Sequence, residues 1–202
     1  MIASHIHDAL GQVRQLRVLL LENRKFTGFS GTARIMGGTV ALLGGVWMHY
    51  FAMSYYDLLG AWGSILIIAL LFNLGALMLW FFQQPKTEKQ LQTIAPAFEI
   101  LPPLFVGAAL SVALIVYDIP DLLFGSWMCL YGLAHTHSRT LLPKENNWLG
   151  YYYILSGVFF LLSPSIYFFY PLPAILIFTG GEWIGGIIFY RHRIKLQKES
   201  YE

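Results

Sequence analysis

Charge is scarce in this chain and cysteine is nearly absent. Only 12% of the 202 residues are charged, about half the share found in a soluble domain. The single cysteine, Cys129, leaves no room for a disulfide framework or a thiolate zinc site. A formal net charge of +2 is too weak for a nucleic-acid footprint, so no nucleic-acid partner is expected. Catalytic signatures are missing too: there is no HExxH, no GxSxG, no phosphate-cradling glycine loop ending in Lys-Ser/Thr, and no cluster of acids for a two-metal site. No nucleophile and base can be assembled at one depth, and the chain is read as a non-enzyme without a cofactor. Residues 1–30 also lack a continuous apolar stretch followed by a small-residue cleavage site, which argues against a cleavable signal peptide and leaves insertion to the first apolar span.

What the chain has in abundance is apolar surface. Hydrophobic residues make up 56% of it and the mean hydropathy is +0.57, a composition that points to a polytopic membrane protein. Crossing about 30 Å of hydrocarbon takes about 20 apolar residues, with about 17 as a practical minimum. Six stretches approach that length, at 35–53, 61–82, 101–117, 120–136, 148–163 and 172–190. The expected fold is all-α, with six transmembrane helices arranged as three hairpins. The expected organisation is a cytoplasmic amphipathic helix and hinge over 1–32, a bundle over 33–190 and a basic tail over 191–202.

Orientation follows from the basic residues, because Lys and Arg in short loops stay on the cytoplasmic side. Arg14, Arg17, Arg24, Lys25 and Arg34 precede the first span, Lys86 and Lys89 join the second to the third, and Arg139 and Lys144 join the fourth to the fifth. Arg191, Arg193, Lys195 and Lys198 follow the sixth, which accounts for all 13 basic residues. The opposite connections carry Asp57, Asp118 and Asp121 and no base. Both termini are therefore expected to be cytoplasmic, and the two ends of the bundle are called here the basic end and the acidic end. Interfacial anchoring accounts for most aromatics: Tyr55, Trp62, Trp127 and Tyr170 on the acidic side, Trp80, Trp148, Tyr151, Tyr152 and Tyr153 on the basic side. Trp183 does not fit that scheme. Two acidic-end tips, Asp57 to Trp62 and Asp121 to Trp127, hint at a repeated hairpin with an acid at each helix start.

Residues 2–25 read as an amphipathic helix, with Ile2, Ile6, Leu10, Val13, Leu16 and Leu20 at spacings of three and four. Such a helix lies in the headgroup layer, pairs with a copy of itself, or docks a cytoplasmic or membrane protein partner. A glycine-punctuated hinge follows it.

An ionisable residue inside a span is expensive and is a functional candidate by default. Glu182 is the sharpest, in the run Thr179-Gly180-Gly181-Glu182-Trp183. It falls about 15 Å from the start of the sixth span at 1.5 Å per residue, near midplane, and must be protonated or paired there. It is either an ion- or proton-binding group or an interhelical hydrogen-bonding group. Asn73 is its best partner by depth. Gly181 and Gly185 form a small-xxx-small face, and Gly37 and Gly44 in the first span suit close packing within or between protomers, so a homo-oligomer is expected. His135 and His137, with His5 and His7, form a weak cytoplasmic metal candidate, because two-residue spacing on a helix points side chains apart. His49 lies near the opposite end, which disfavours haem ligation.

The fourth span at 125–133, GSWMCLYGL, and the sixth at 178–191 resemble a family of uncharacterised bacterial six-span membrane proteins. Similar members have a basic amphipathic N-terminal segment ending in aromatic-x-Gly-aromatic-Ser-Gly, as 26–31 does here, while Glu182 stands where a His is usual. The resemblance implies multi-pass residence in a bacterial cytoplasmic membrane, and the family has no established activity. Two functions are expected on these grounds. The first is a small permease, channel or cation- or proton-responsive protein in which Glu182 titrates and Asn73 assists. The second is a non-catalytic sensor or accessory subunit whose N-terminal helix docks a partner.

Overall fold

Glycine spacing decides which helices approach closely in this computed structural model, which describes residues 11, 13, 26, 28–51, 54–83, 97–138, 142–163 and 168–199. Among the described residues six α-helices follow one another: α1 (Gly31–Tyr50), α2 (Tyr55–Gln83), α3 (Leu101–Val116), α4 (Leu123–His137), α5 (Glu145–Leu162) and α6 (Leu172–Glu199). One 3₁₀ turn, Pro120–Leu122, leads into α4, and there is no strand among the described residues. The fold is therefore all-α, and each of the six apolar stretches coincides with one helix. By length and apolarity two of the six qualify to cross a membrane, Tyr55–Gln83 and Leu172–Lys195. The amphipathic helix expected over 2–25, with His5 and His7, lies almost wholly outside the described residues.

Local chemistry sets the helix ends. Ser30 Oγ accepts from Ala33 N–H at 3.3 Å, so α1 begins at Gly31 rather than beyond the hinge, and Arg34 lies within the helix. Ser54 and Asp57 cap α2 reciprocally: Asp57 N–H donates to Ser54 Oγ, and Ser54 N–H donates to Asp57 Oδ2. At the other tip Asp121 Oδ1 instead accepts from Phe168 N–H at 2.8 Å, tying the α5–α6 connection to the start of α4. The two tips that resemble each other in sequence thus do different work. Pro102 and Pro103 open α3, where missing N–H groups cost nothing. At the other extreme α6 continues through Arg191, Arg193 and Lys195 to Glu199, so most of the basic tail is helix.

Two antiparallel helix pairs meet through glycines seven residues apart. On α1, Gly31 faces Gly186, Gly38 faces Glu182 and Gly45 faces Ile175 of α6. A β-carbon on Gly186 would lie 2.6 Å from Gly31 O. Between α4 and α5, Gly125 opposes Gly157 and Gly132 opposes Gly150, with hypothetical β-carbons on Gly132 and Gly157 only 2.6 and 2.7 Å from the facing carbonyls. Without a β-carbon the backbones pack directly, which is how helices associate when burial from water is not the driving force. The next most extensive contacts are α2 on α1, α3 on α4, and α6 on α5, and Trp62 of α2 also reaches α4 and α6 through ring contacts.

The core is a column of aromatic rings. Trp62 is 7% exposed and packs edge-on to Phe124 and Trp127 at 5.2 and 5.8 Å. Phe168 caps the column at the acidic end against Phe124. Trp62 is thus a core residue rather than an interfacial anchor, and so is Tyr153, which is fully buried. Trp127 Nε1 donates to Ser111 Oγ at 2.7 Å, joining α4 to α3.

Candidate functional site

The aromatic column ends on a cluster of buried polar groups near the basic end. Its members come from four helices. Arg34 stands in the first turn of α1, Tyr131 and His135 in the last two turns of α4, Asn146 and Tyr153 in the first half of α5, and Glu182 in α6. Arg34 is 6% exposed, His135 7% and Asn146 0%.

Arg34 grips Glu182 in a fork. Nε donates to Oε2 at 2.9 Å and Nη2 to Oε1 at 2.8 Å. This bidentate geometry gives an arginine–carboxylate pair both strength and orientation. Oε1 also accepts from Tyr131 Oη at 2.7 Å and from Tyr153 Oη at 3.1 Å. The carboxylate is therefore held from three helices. On the other side of the guanidinium, Nη1 donates to Asn146 Oδ1 at 3.3 Å and Nη2 lies 2.9 Å from His135 Nε2. The Phe189 ring completes the enclosure, with its centroid 5.4 Å from Arg34 Cζ.

Glycines make the space these side chains occupy. A β-carbon on Gly185 would lie 2.5 Å from Arg34 Cζ, and one on Gly181 would collide with the Tyr153 hydroxyl. Gly181 and Gly185 lie on one α6 face, as the spacing implied, but what they admit is a phenol and a guanidinium. Gly37 and Gly44 meet Ala69 and Ile65 of α2, within the chain.

Glu182 packs against Gly38, the eighth of the 20 residues of α1. Its partners Arg34, His135 and Asn146 all sit within about a turn of a helix terminus. The structure does not bring Asn73 to Glu182: Asn73 Nδ2 donates to Ala69 O on its own helix at 2.9 Å. His135 and His137 diverge, the first buried and the second exposed. No group of three or more His, Cys, Asp or Glu is placed to hold a metal among the described residues. Trp183 is half-exposed and donates through Nε1 to Thr39 Oγ1 at 3.2 Å, a further polar link between α6 and α1.

Sequence reasoning placed Arg34 in a cytoplasmic flank and Tyr153 at an interface, and it passed over Tyr131 and Asn146. One signal was available: His135 lies one helical turn after Tyr131, which places both on one face of the fourth helix. A separate apolar groove of about 500 Å³ runs between α5 and α6, lined by Leu155, Phe159, Phe160, Leu176 and Ile177, with Ser156 among its few polar groups. It carries no chemistry of its own. No known protein family, curated protein or solved structure matches the chain.

Proposed function

We propose that this chain is a six-span protein of a bacterial cytoplasmic membrane, with both termini inside, acting as a small proton-responsive permease or channel. Several features support residence in a bilayer. Six apolar stretches form six helices, the basic residues all fall in alternate connections along the sequence, and the helix surfaces carry large exposed side chains such as Leu71, Leu79, Phe105, Val112, Leu155 and Phe159. Contiguous apolar surface of this kind needs lipid or protein to cover it. The resemblance of the fourth and sixth spans to bacterial six-span proteins points the same way.

The observation that carries the functional reading is the buried fork between Arg34 and Glu182. A buried ion pair adds little net stability, because desolvating two charges offsets their attraction. Its distinctive property is intolerance of losing one partner. Protonation of Glu182 would neutralise the carboxylate and leave the Arg34 guanidinium, which always keeps its proton, uncompensated in a closed site. Relief comes only if water reaches Arg34, that is, if the basic end opens. Closed when Glu182 is ionised and open when it is protonated, the cluster would couple proton uptake to access from the cytoplasmic side.

The test is reconstitution of the full chain in liposomes carrying a pH-sensitive dye. The wild type is expected to show proton flux or dye-reported permeability that changes with pH. Glu182→Gln, which carries the protonated shape permanently, is expected to be insensitive to pH. Identical pH profiles for the two proteins would overturn the reading.

A further inference from the structure

Both ring nitrogens of His135 are engaged. Nδ1 lies 2.9 Å from Tyr131 O, and Nε2 lies 2.9 Å from Arg34 Nη2. A backbone carbonyl can only accept a hydrogen bond, and a guanidinium can only donate one. Both contacts are hydrogen bonds in one state of the ring alone: a proton on Nδ1 and a bare Nε2. An imidazolium, or the opposite tautomer, would set an N–H of the ring against an N–H of Arg34.

We infer that His135 is the positioning residue of the Arg34–Glu182 pair, a neutral Nδ1–H imidazole whose Nε2 accepts the Nη2 proton that Glu182 does not. Nη2 carries two hydrogens, and the carboxylate takes one of them through Oε1. His135 takes the other, Asn146 takes one from Nη1, and the plane of the guanidinium is thereby fixed against the carboxylate. The groups facing His135 come from every helix packed on it: Tyr131 of α4, with ring centroids 4.5 Å apart, Tyr153 of α5 at 5.6 Å, Arg34 of α1, and Glu182 of α6 through Arg34. A ring committed on both nitrogens has no lone pair for a metal and no free proton to exchange. The inference rests on the reading of the pair as the responsive element, and it gives that element its alignment.

Two measurements on the full-length protein in lipid nanodiscs test it. Histidine-selective ¹⁵N labelling, with the His135 signal identified by its loss in His135→Gln, is expected to show a protonated Nδ1 and a bare Nε2 between about pH 5 and 8. A protonated Nε2, alone or with Nδ1, in that range would overturn the inference. The second measurement compares the pH midpoint of permeability. His135→Gln offers Arg34 an acceptor oxygen near the place of Nε2 and should keep the wild-type midpoint. His135→Leu offers none and should move it by about tenfold in proton concentration. A Leu variant with the wild-type midpoint, or a Gln variant shifted as far as Leu, would remove the positioning role. Should His135→Leu not fold, the tautomer and the Gln midpoint decide. Should the wild type lack any pH-dependent permeability, the proposed function falls, while the tautomer result still stands or fails by itself.

Discussion

Gly185 and Arg34 compete for one volume: a β-carbon on the glycine would lie 2.5 Å from the guanidinium carbon and 2.8 Å from both Nη atoms. The α6 backbone forms one wall of the arginine site. Overpacking a tight interior typically costs about 1–3 kcal/mol. Gly185→Ala is expected to lower the thermal unfolding midpoint in detergent. Gly75→Ala is the control, because a β-carbon there meets nothing and alanine favours a helix by about 0.5–1 kcal/mol. If Gly185→Ala is as stable as Gly75→Ala, the wall is not tight.

Arg34 and Glu182 are expected to show strong coupling in a double-mutant cycle. Arg34→Gln and Glu182→Gln each leave one buried charge unpaired, at a cost of about 3–5 kcal/mol. The double variant has no charge to strand and should lose much less than the sum of the two. Unfolding measured for all four proteins under one detergent condition checks this, and strict additivity would mean that the fork is not maintained in solution.

The two tyrosines on Glu182 are expected to differ. Tyr131 donates to Oε1 at 2.7 Å, whereas Tyr153 lies 3.1 Å from Oε1 and 3.4 Å from Phe178 O. A hydrogen bond to a charged group contributes about 1.5–3 kcal/mol. Tyr131→Phe should lose stability in that range, and Tyr153→Phe less, since its proton has two acceptors at longer reach. A larger loss for Tyr153→Phe would reverse the assignment.

Much of the helical layout was legible because apolar run length and punctuation are local properties. Glu182 was legible for the same reason, as an acid within an apolar run. Its partner was not. Arg34 sits at the edge of a span, where an arginine usually marks the flank, and only the Ser30 cap brings it into the helix. Depth arithmetic favoured Asn73, but depth says nothing about adjacency, and α2 packs chiefly on α1. Tyr153 looked like an anchor because Tyr151 and Tyr152 flank it, yet consecutive helical residues point in different directions and this one points inward. His135 invited a comparison with His137 that the helix geometry forbids. Adjacency depends on which glycine faces meet, and that is a property of two helices at once.

The 148-position separation of Arg34 and Glu182 bears on how the protein is made. If the chain spans a bilayer as proposed and its helices enter in order of synthesis, α1 arrives well before α6 and carries a cation whose counter-charge is made later. Until α6 is in place, Arg34 must satisfy itself by reaching toward the headgroups, which its position in the first turn of α1 allows. Arrival of α6 then draws the side chain inward onto Glu182, in the groove left open by Gly185. Entry of α6 and closure of the interior become one event. A ribosome-bound fragment ending before α6 should therefore hold Arg34 in contact with water or lipid phosphate, and a quality-control protease would have an unfinished bundle to recognise.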